Sequence, residues 1–255
     1  MNRVIPSEAI GSGRFVDVGT HELYVVLTDV PSDCTIVLES GGGKFSSAYQ
    51  EIQDTLARRT GLRVMSYDRS GFGQSELGPD DWTAIDEVDA LRKCLRAQGL
   101  KDEFILAGHS YGGLLIQLFT QRYPELVSGL VLIDPMNVKF VDAFGLDELQ
   151  AVTPYFENPT QKHERAGNRM VDHFPEALAA LRGTELPPDI PALLITAGNA
   201  PFSESIWRRC HEEMVMDSEK HQLLIAEGHN HDILEENPQL ILDEIIELVD
   251  RVRSA

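Results

Sequence analysis

Cysteine and positive charge are both scarce in this chain. Its three cysteines, Cys34, Cys94 and Cys210, stand far apart with no Cys-x-x-Cys pair. An odd, scattered set argues against a disulfide framework and predicts reduced thiols in a cytoplasmic protein. Lys and Arg together number 22 against 41 Asp and Glu, a net charge of −19. Such a surface repels phosphate backbones and anionic lipid, which speaks against nucleic-acid and membrane partners and for solubility. No apolar run reaches the roughly 20 residues that a membrane-spanning helix needs. The start, Met1-Asn2-Arg3-Val4-Ile5-Pro6, lacks the apolar centre of a secretory signal. Internal repeats and low-complexity tracts are missing too. The 255 residues suit one large domain, long enough to bury a substantial core.

What is present is alternation of strand and helix. Arg14 to Val18 and Glu22 to Thr28 read as an opening hairpin around Gly19-Thr20. Short apolar, β-branched runs follow at Thr35–Leu38, Arg63–Tyr67, Phe104–Ala107, Gly129–Ile133, Ala192–Thr196 and Gln222–Ile225. Runs so continuously apolar fit strands covered on both faces. Between them lie helical periodicities, from about Ser47 to Arg59, from about Thr83 to Ala97 and from about Pro238 to Val252. Strand alternating with helix predicts a mostly parallel, doubly wound sheet. Residues 135–190 break the rhythm, because they carry no strand signal and exceed any ordinary connection. Helix-like pieces there, Val141 to Val152 and about Gln161 to Leu181, predict a small helical cap. It supplies Phe140, Phe144, Tyr155, Phe156 and Phe174, either to line an apolar pocket or to fasten the cap to the core.

The most informative segment is Gly108-His109-Ser110-Tyr111-Gly112-Gly113. It follows a strand and opens an apolar-periodic stretch, so the serine sits at the apex of a sharp strand-to-helix turn. That geometry lifts Ser110 Oγ above the sheet edge as a nucleophile. Its flanking glycines avoid collisions that any Cβ would make. The helix that begins at Tyr111 also aims its positive end at the spot where an oxyanion would form.

Taken in order, Ser40-Gly41-Gly42-Gly43, Tyr67-Asp68-Arg69-Ser70-Gly71-Phe72-Gly73-Gln74-Ser75, Gly108-His109-Ser110-Tyr111-Gly112 and a late histidine before Glu-x-Pro resemble the α/β-hydrolase family over nearly the whole chain. The resemblance implies the α/β-hydrolase fold: an eight-stranded, mostly parallel sheet flanked by helices. Residues 1–134 and 191–255 would form the core and 135–190 the cap. It implies a cofactor-free, metal-free serine hydrolase acting on a small-molecule carboxylic ester or lactone. Carbon–carbon or amide hydrolysis on the same residues, or a ligand receptor that kept the fold, are the alternatives.

By the same resemblance, the oxyanion donors would be the backbone amides of Tyr111 and Gly42, with Gly43 as second choice. The base would be His231, which has Glu236 and Pro238 at the family's spacing, with His229 competing. The His229-x-His231 pair has no further ligands at metal spacing. The family's usual acid position after the seventh strand reads Gly198-Asn199-Ala200-Pro201-Phe202-Ser203-Glu204 and holds no aspartate. A minority of the family places the acid after the sixth strand, where Asp134 stands. Asp134 is therefore preferred to Glu204. The aspartate and arginine of the Tyr67–Ser75 segment would brace loops, Glu39 would bond loop amides, and the remaining histidines would serve as surface or packing residues.

Overall fold

The computed structural model describes residues 11–100, 103–200 and 203–254. Met1–Pro6, and Pro201 and Phe202 in the expected acid loop, lie outside them. The chain opens with the antiparallel pair β1 (Gly11–Asp17) and β2 (Glu22–Thr28), then runs β3 (Thr35–Glu39), α1 (Gln53–Thr60), β4 (Arg63–Tyr67), α2 (Ala84–Ala97), β5 (Phe104–His109) and α3 (Tyr111–Arg122). After β6 (Val127–Ile133) come four helices, α4 (Val138–Phe144), α5 (Leu146–Val152), α6 (Lys162–Asp172) and α7 (Phe174–Leu181). The chain then closes with β7 (Ala192–Ala197), α8 (Glu204–Val215), β8 (His221–Ala226), α9 (Ile233–Glu236) and α10 (Pro238–Ser254). The eight strands form one sheet in the order β1-β2-β4-β3-β5-β6-β7-β8, parallel from β4 to β8.

Strand side chains alternate between two helical layers, as a period of two requires. In β6, Leu130 and Leu132 pack with the layer that holds α2, α3 and α8, while Val131 and Ile133 pack with the layer of α1 and α10. Helix α10 presents Ile241, Ile245, Leu248 and Val249, all fully buried, at helical spacing. Thr83 caps α2 through a reciprocal pair with Asp86, satisfying two orphan backbone donors.

Three expected helices are interrupted, each for a local reason. The stretch from Ser47 begins as a 3-10 turn over Ser46–Tyr49, held where Asp68 accepts from Ser46 N–H (2.8 Å) and the Glu39 carbonyl accepts from the Tyr49 hydroxyl (2.9 Å). Gly145, at φ 114, separates α4 from α5. The long stretch to Leu181 breaks at His173, because Pro175 has no N–H for a continuing helix and fits only a first turn.

Register fixes where chemistry gathers. Glu39 pairs with Gly108, His109 with Ile133, and Ala197 with Ala226, so β3, β5, β6, β7 and β8 all end at one edge. The loops carrying Gly42, Ser110, Asp134 and His231 leave from that edge. Ligands of open parallel sheets bind there, beyond the carboxyl ends of the strands.

Candidate active site

Ser110 links β5 to α3 with φ 53 and ψ −117, a left-handed backbone that a side chain adopts only when its surroundings compel it. Two neighbours compel it. The Ser110 N–H donates to the Ile133 carbonyl (3.0 Å), and its own carbonyl accepts from Met136 N–H (3.0 Å). The turn also needs its glycines: a Cβ on Gly112 would lie 2.4 Å from the Ser40 carbonyl oxygen, and one on Gly108 2.6 Å from that of Gly112.

Three side chains meet in line. Ser110 Oγ lies 2.8 Å from His231 Nε2, and His231 Nδ1 lies 2.6 Å from Asp134 Oδ2. Since a carboxylate only accepts, Nδ1 carries the hydrogen and Nε2 offers its lone pair to the serine hydroxyl. Asp134 is fully buried, and its other oxygen, Oδ1, accepts from Ala197 N–H (2.8 Å) and Trp207 Nε1–H (2.7 Å). Burial alone would raise its pKa. The hydrogen bond and charge of His231, with His211 and Ala197, outweigh that and hold it below the usual aspartate value.

The other sequence candidates fall elsewhere. Glu204 is exposed at the start of α8, 3.8 Å from Arg208. His229 is turned away from Ser110: its Nδ1 donates to the Glu227 carbonyl (3.0 Å) and its Nε2 accepts from Asn237 Nδ2 (3.2 Å). Glu236, at the expected spacing, braces the loop by accepting from Asn230 N–H (2.8 Å) and Asn230 Nδ2 (2.7 Å).

Gly42, Tyr111, Ser110 and His231 share one cavity of about 430 Å³. Its walls include Met136 and Leu149, with Met170, Val171 and Phe174 from α6 and α7; no Asp, Glu, Lys or Arg lines it among the described residues. The five aromatics of residues 135–190 expected to line a pocket or pack divide. Phe156 and Phe174 line the cavity, Phe140 packs against Trp207 with ring centroids 4.6 Å apart, Phe144 stacks on Phe140, and Tyr155 is exposed.

Beneath the Gly42 loop lies a buried ionic brace. Arg69 donates to Glu39 Oε1 (2.6 Å), to the Ser40 carbonyl and to the Gly41 carbonyl (2.6 Å). Glu39 also accepts from the Tyr67 hydroxyl, so its carboxylate answers two side chains besides any loop amide. Burial works against the Arg69 charge, but Glu39, together with Tyr67 and Glu87, more than offsets it and the guanidinium stays protonated. Because a trans peptide holds C=O and N–H on opposite sides, fixing the Gly41 carbonyl toward Arg69 turns the Gly42 N–H away from it.

Sequence reasoning missed several contributors. Trp207 anchors Asp134, yet nothing in the α8 pattern distinguishes it from a core tryptophan. His211 was expected at the surface or in packing. It is fully buried, donates Nε2–H to the Pro135 carbonyl (2.9 Å) and lies 3.9 Å from Asp134 Oδ1. His163, likewise expected to be surface or packing, is exposed yet lines the cavity. Among the described residues no helix is long and apolar enough to cross a membrane, no cluster of three or more His, Cys, Asp or Glu is arranged to hold a metal ion, and all three cysteines are free.

Fold and sequence now define a class: residues 36–244 match the alpha/beta hydrolase family, and the chain belongs to it. It is 24% identical to the uncharacterized protein YqjL of Bacillus subtilis (strain 168), over 82% of this chain and 81% of that one. It is 31% identical to a proline iminopeptidase of Lactobacillus helveticus, over 49% of this chain and 44% of that one. The chain thus spans less than half the length of the iminopeptidases and of two other curated relatives it matches. A thermophilic esterase from Thermogutta terrifontis shares the fold, with a TM-score of 0.65 and 21% identity over 94% of this chain and 99% of that one.

Proposed function

We propose that this protein is a serine hydrolase that cleaves a small, moderately apolar carboxylic ester or lactone through an acyl-enzyme. The observation that carries the reading is the line Ser110–His231–Asp134 opening into an uncharged cavity. Ser110 Oγ attacks the acyl carbon while its proton passes to His231 Nε2. Asp134 holds the imidazole in the required tautomer and stabilises the imidazolium. The tetrahedral oxyanion is held by the amides of Tyr111 and Gly42, the latter aimed by Arg69 through the Gly41 carbonyl. Each such donor is worth about 2.7–4 kcal/mol of barrier. Collapse expels the alcohol, which takes the proton from Nε2. Water, activated by the same nitrogen, then releases the acid and restores Ser110.

The segment 135–190 acts as a cap in this reading, supplying Leu149, Phe156, Met170, Val171 and Phe174 as the acyl-facing wall. An apolar wall favours neutral acyl groups. A peptide's ammonium group would meet no carboxylate among the described lining residues, which supports ester over aminopeptidase chemistry. Each methylene buried is worth about 0.8 kcal/mol, so kcat/KM should rise about fourfold per added carbon until the cavity is full.

The test is hydrolysis of p-nitrophenyl esters from acetate to decanoate by wild type, Ser110→Ala, His231→Ala and His229→Ala. Loss in the first two variants, near-normal rates in the third and an optimum at intermediate chain length are expected. A wild type inert toward every ester and lactone, and unlabelled by a fluorophosphonate, would overturn the reading in favour of a receptor. Labelling without ester turnover would move the substrate to an amide or a carbon–carbon bond.

A further inference from the structure

One buried histidine beside the site has no part in the chemistry above. His109 ends β5, is 5% exposed and adjoins Ser110 in sequence. Its Nε2 lies 2.8 Å from the backbone carbonyl of His231. A carbonyl only accepts, so Nε2 carries the hydrogen. Burial, reinforced by the nearby His231, lowers the His109 pKa to about 4, which leaves the ring neutral in ordinary buffers and Nδ1 as a bare lone pair. That opposite edge faces the oxyanion loop: a Cβ on Gly41 would come within 2.8 Å of Nδ1. The two imidazoles, His109 and His231, sit with ring centroids 4.9 Å apart.

One ring therefore touches the turn that carries Ser110, the loop that carries His231 and the loop that carries Gly42. Other bonds tie this loop, Asn230 to Glu236 and Lys44 to Glu235 at exposed positions, where such bonds contribute little, and Asn237 Nδ2 and Asn199 N–H at His229, two residues before His231; the His109 ring bonds the His231 main chain itself. Resting on the hydrolase reading, we infer that His109 is a positioning residue: a neutral latch that fixes the His231 main chain and so sets the imidazole between Ser110 Oγ and Asp134. The hydrogen-bond donor at Nε2 is what the latch requires, not a charge. Gly41 is required to be glycine because the ring fills the space beside it.

The experiment measures kcat, KM and thermal midpoint on p-nitrophenyl butyrate for wild type, His109→Leu and His109→Gln. Misplacing catalytic groups by about 1 Å costs up to about a hundredfold. His109→Leu, which keeps bulk but no donor, should lose at least about tenfold in kcat with KM within about threefold. His109→Gln presents an amide N–H to the same carbonyl and should restore kcat. The latch is overturned if His109→Leu keeps the wild-type kcat, or loses it together with a matching rise in KM, or if His109→Gln is as impaired as His109→Leu. Should His109→Leu fail to fold, a cycle of Gly41→Ala with His109→Ser decides. The alanine should cost kcat in the presence of the ring and little in its absence, whereas equal costs in both backgrounds would sink the latch. A wild type that turns over no ester or lactone and takes no fluorophosphonate label overturns the hydrolase reading itself, separately from the latch.

Discussion

Replacing Asp134 by asparagine changes one atom and should nearly silence the enzyme, for a reason written in the hydrogen bonds around it. Oδ1 receives two donors, Ala197 N–H at 2.8 Å and Trp207 Nε1–H at 2.7 Å. An amide nitrogen placed there would face two N–H groups, so the carboxamide oxygen must take the Oδ1 position. Its NH₂ then occupies the Oδ2 position, 2.6 Å from His231 Nδ1. Two donors cannot meet at that distance, so Nδ1 must give up its hydrogen and the imidazole must carry it on Nε2. With Nε2 protonated, nothing accepts the Ser110 proton. The equivalent wrong-tautomer substitution in the trypsin-type triad lowers kcat by about 10⁴, or about 5.4 kcal/mol of barrier, and a loss of that order is expected here. Packing is preserved, so KM and the thermal midpoint should change little. The assay is p-nitrophenyl butyrate hydrolysis at neutral pH by wild type, Asp134→Asn and Glu204→Gln. Asp134→Asn within about tenfold of wild type, with Glu204→Gln disabled, would refute the reasoning and return the acid's role to α8.

Other consequences are measurable in the same way. Arg69→Lys keeps a cation beside Glu39 but cannot fork to both the Ser40 and Gly41 carbonyls; kcat should fall about 10- to 100-fold with KM nearly unchanged, as for a partly misaimed oxyanion donor. Met170 approaches the Gly42 loop, with its Cε 3.3 Å from where a Gly42 Cβ would be, so Met170→Ala should shift the preferred acyl chain about two carbons longer in the ester series. Burial pushes the Glu87 carboxyl up to about 7, with Arg69 opposing. A raised carboxyl pKa adds stability below the unfolded value, near 4.5, that is lost as pH rises through 7. Glu87→Gln should therefore flatten the fall in denaturant midpoint between about pH 5 and 7, a difference of up to about 3 kcal/mol; an unchanged slope would show that Glu87 is not the group responsible.

Ser110 was legible because its signal is local. A strand, a glycine-flanked turn and an apolar helix occupy adjacent residues, and backbone sterics alone dictate what they build. Strand positions were legible for a similar reason: Leu130 to Ile133 must be apolar on both faces when helices cover both. The interrupted helices were less so, since periodicity continues through His173 and Gly145 while the backbone does not. Of the five aromatics singled out in residues 135–190, composition could not say which two would reach the cavity, because Phe140 and Phe174 read alike until Trp207 and Tyr111 are placed.

The residues that settle geometry around Ser110 come from far along the chain. His231 and His229 share a loop and a chemistry; which of them faces Ser110 depends on the His109 bond to the His231 carbonyl and on Glu236 and Asn237 holding the rest. Asp134 and Glu204 both follow strands, but only Asp134 lies at the sheet edge beside His231, with Ala197 and Trp207 supplying donors from 63 and 73 residues away. The sequence by itself determined the alternation of elements, the parallel sheet and the serine turn, because these follow from periodicity and short-range sterics. Only the tertiary structure decided which histidine meets the serine and which carboxylate meets that histidine. That choice rests on parallel register and long-range hydrogen bonds, which no local pattern encodes.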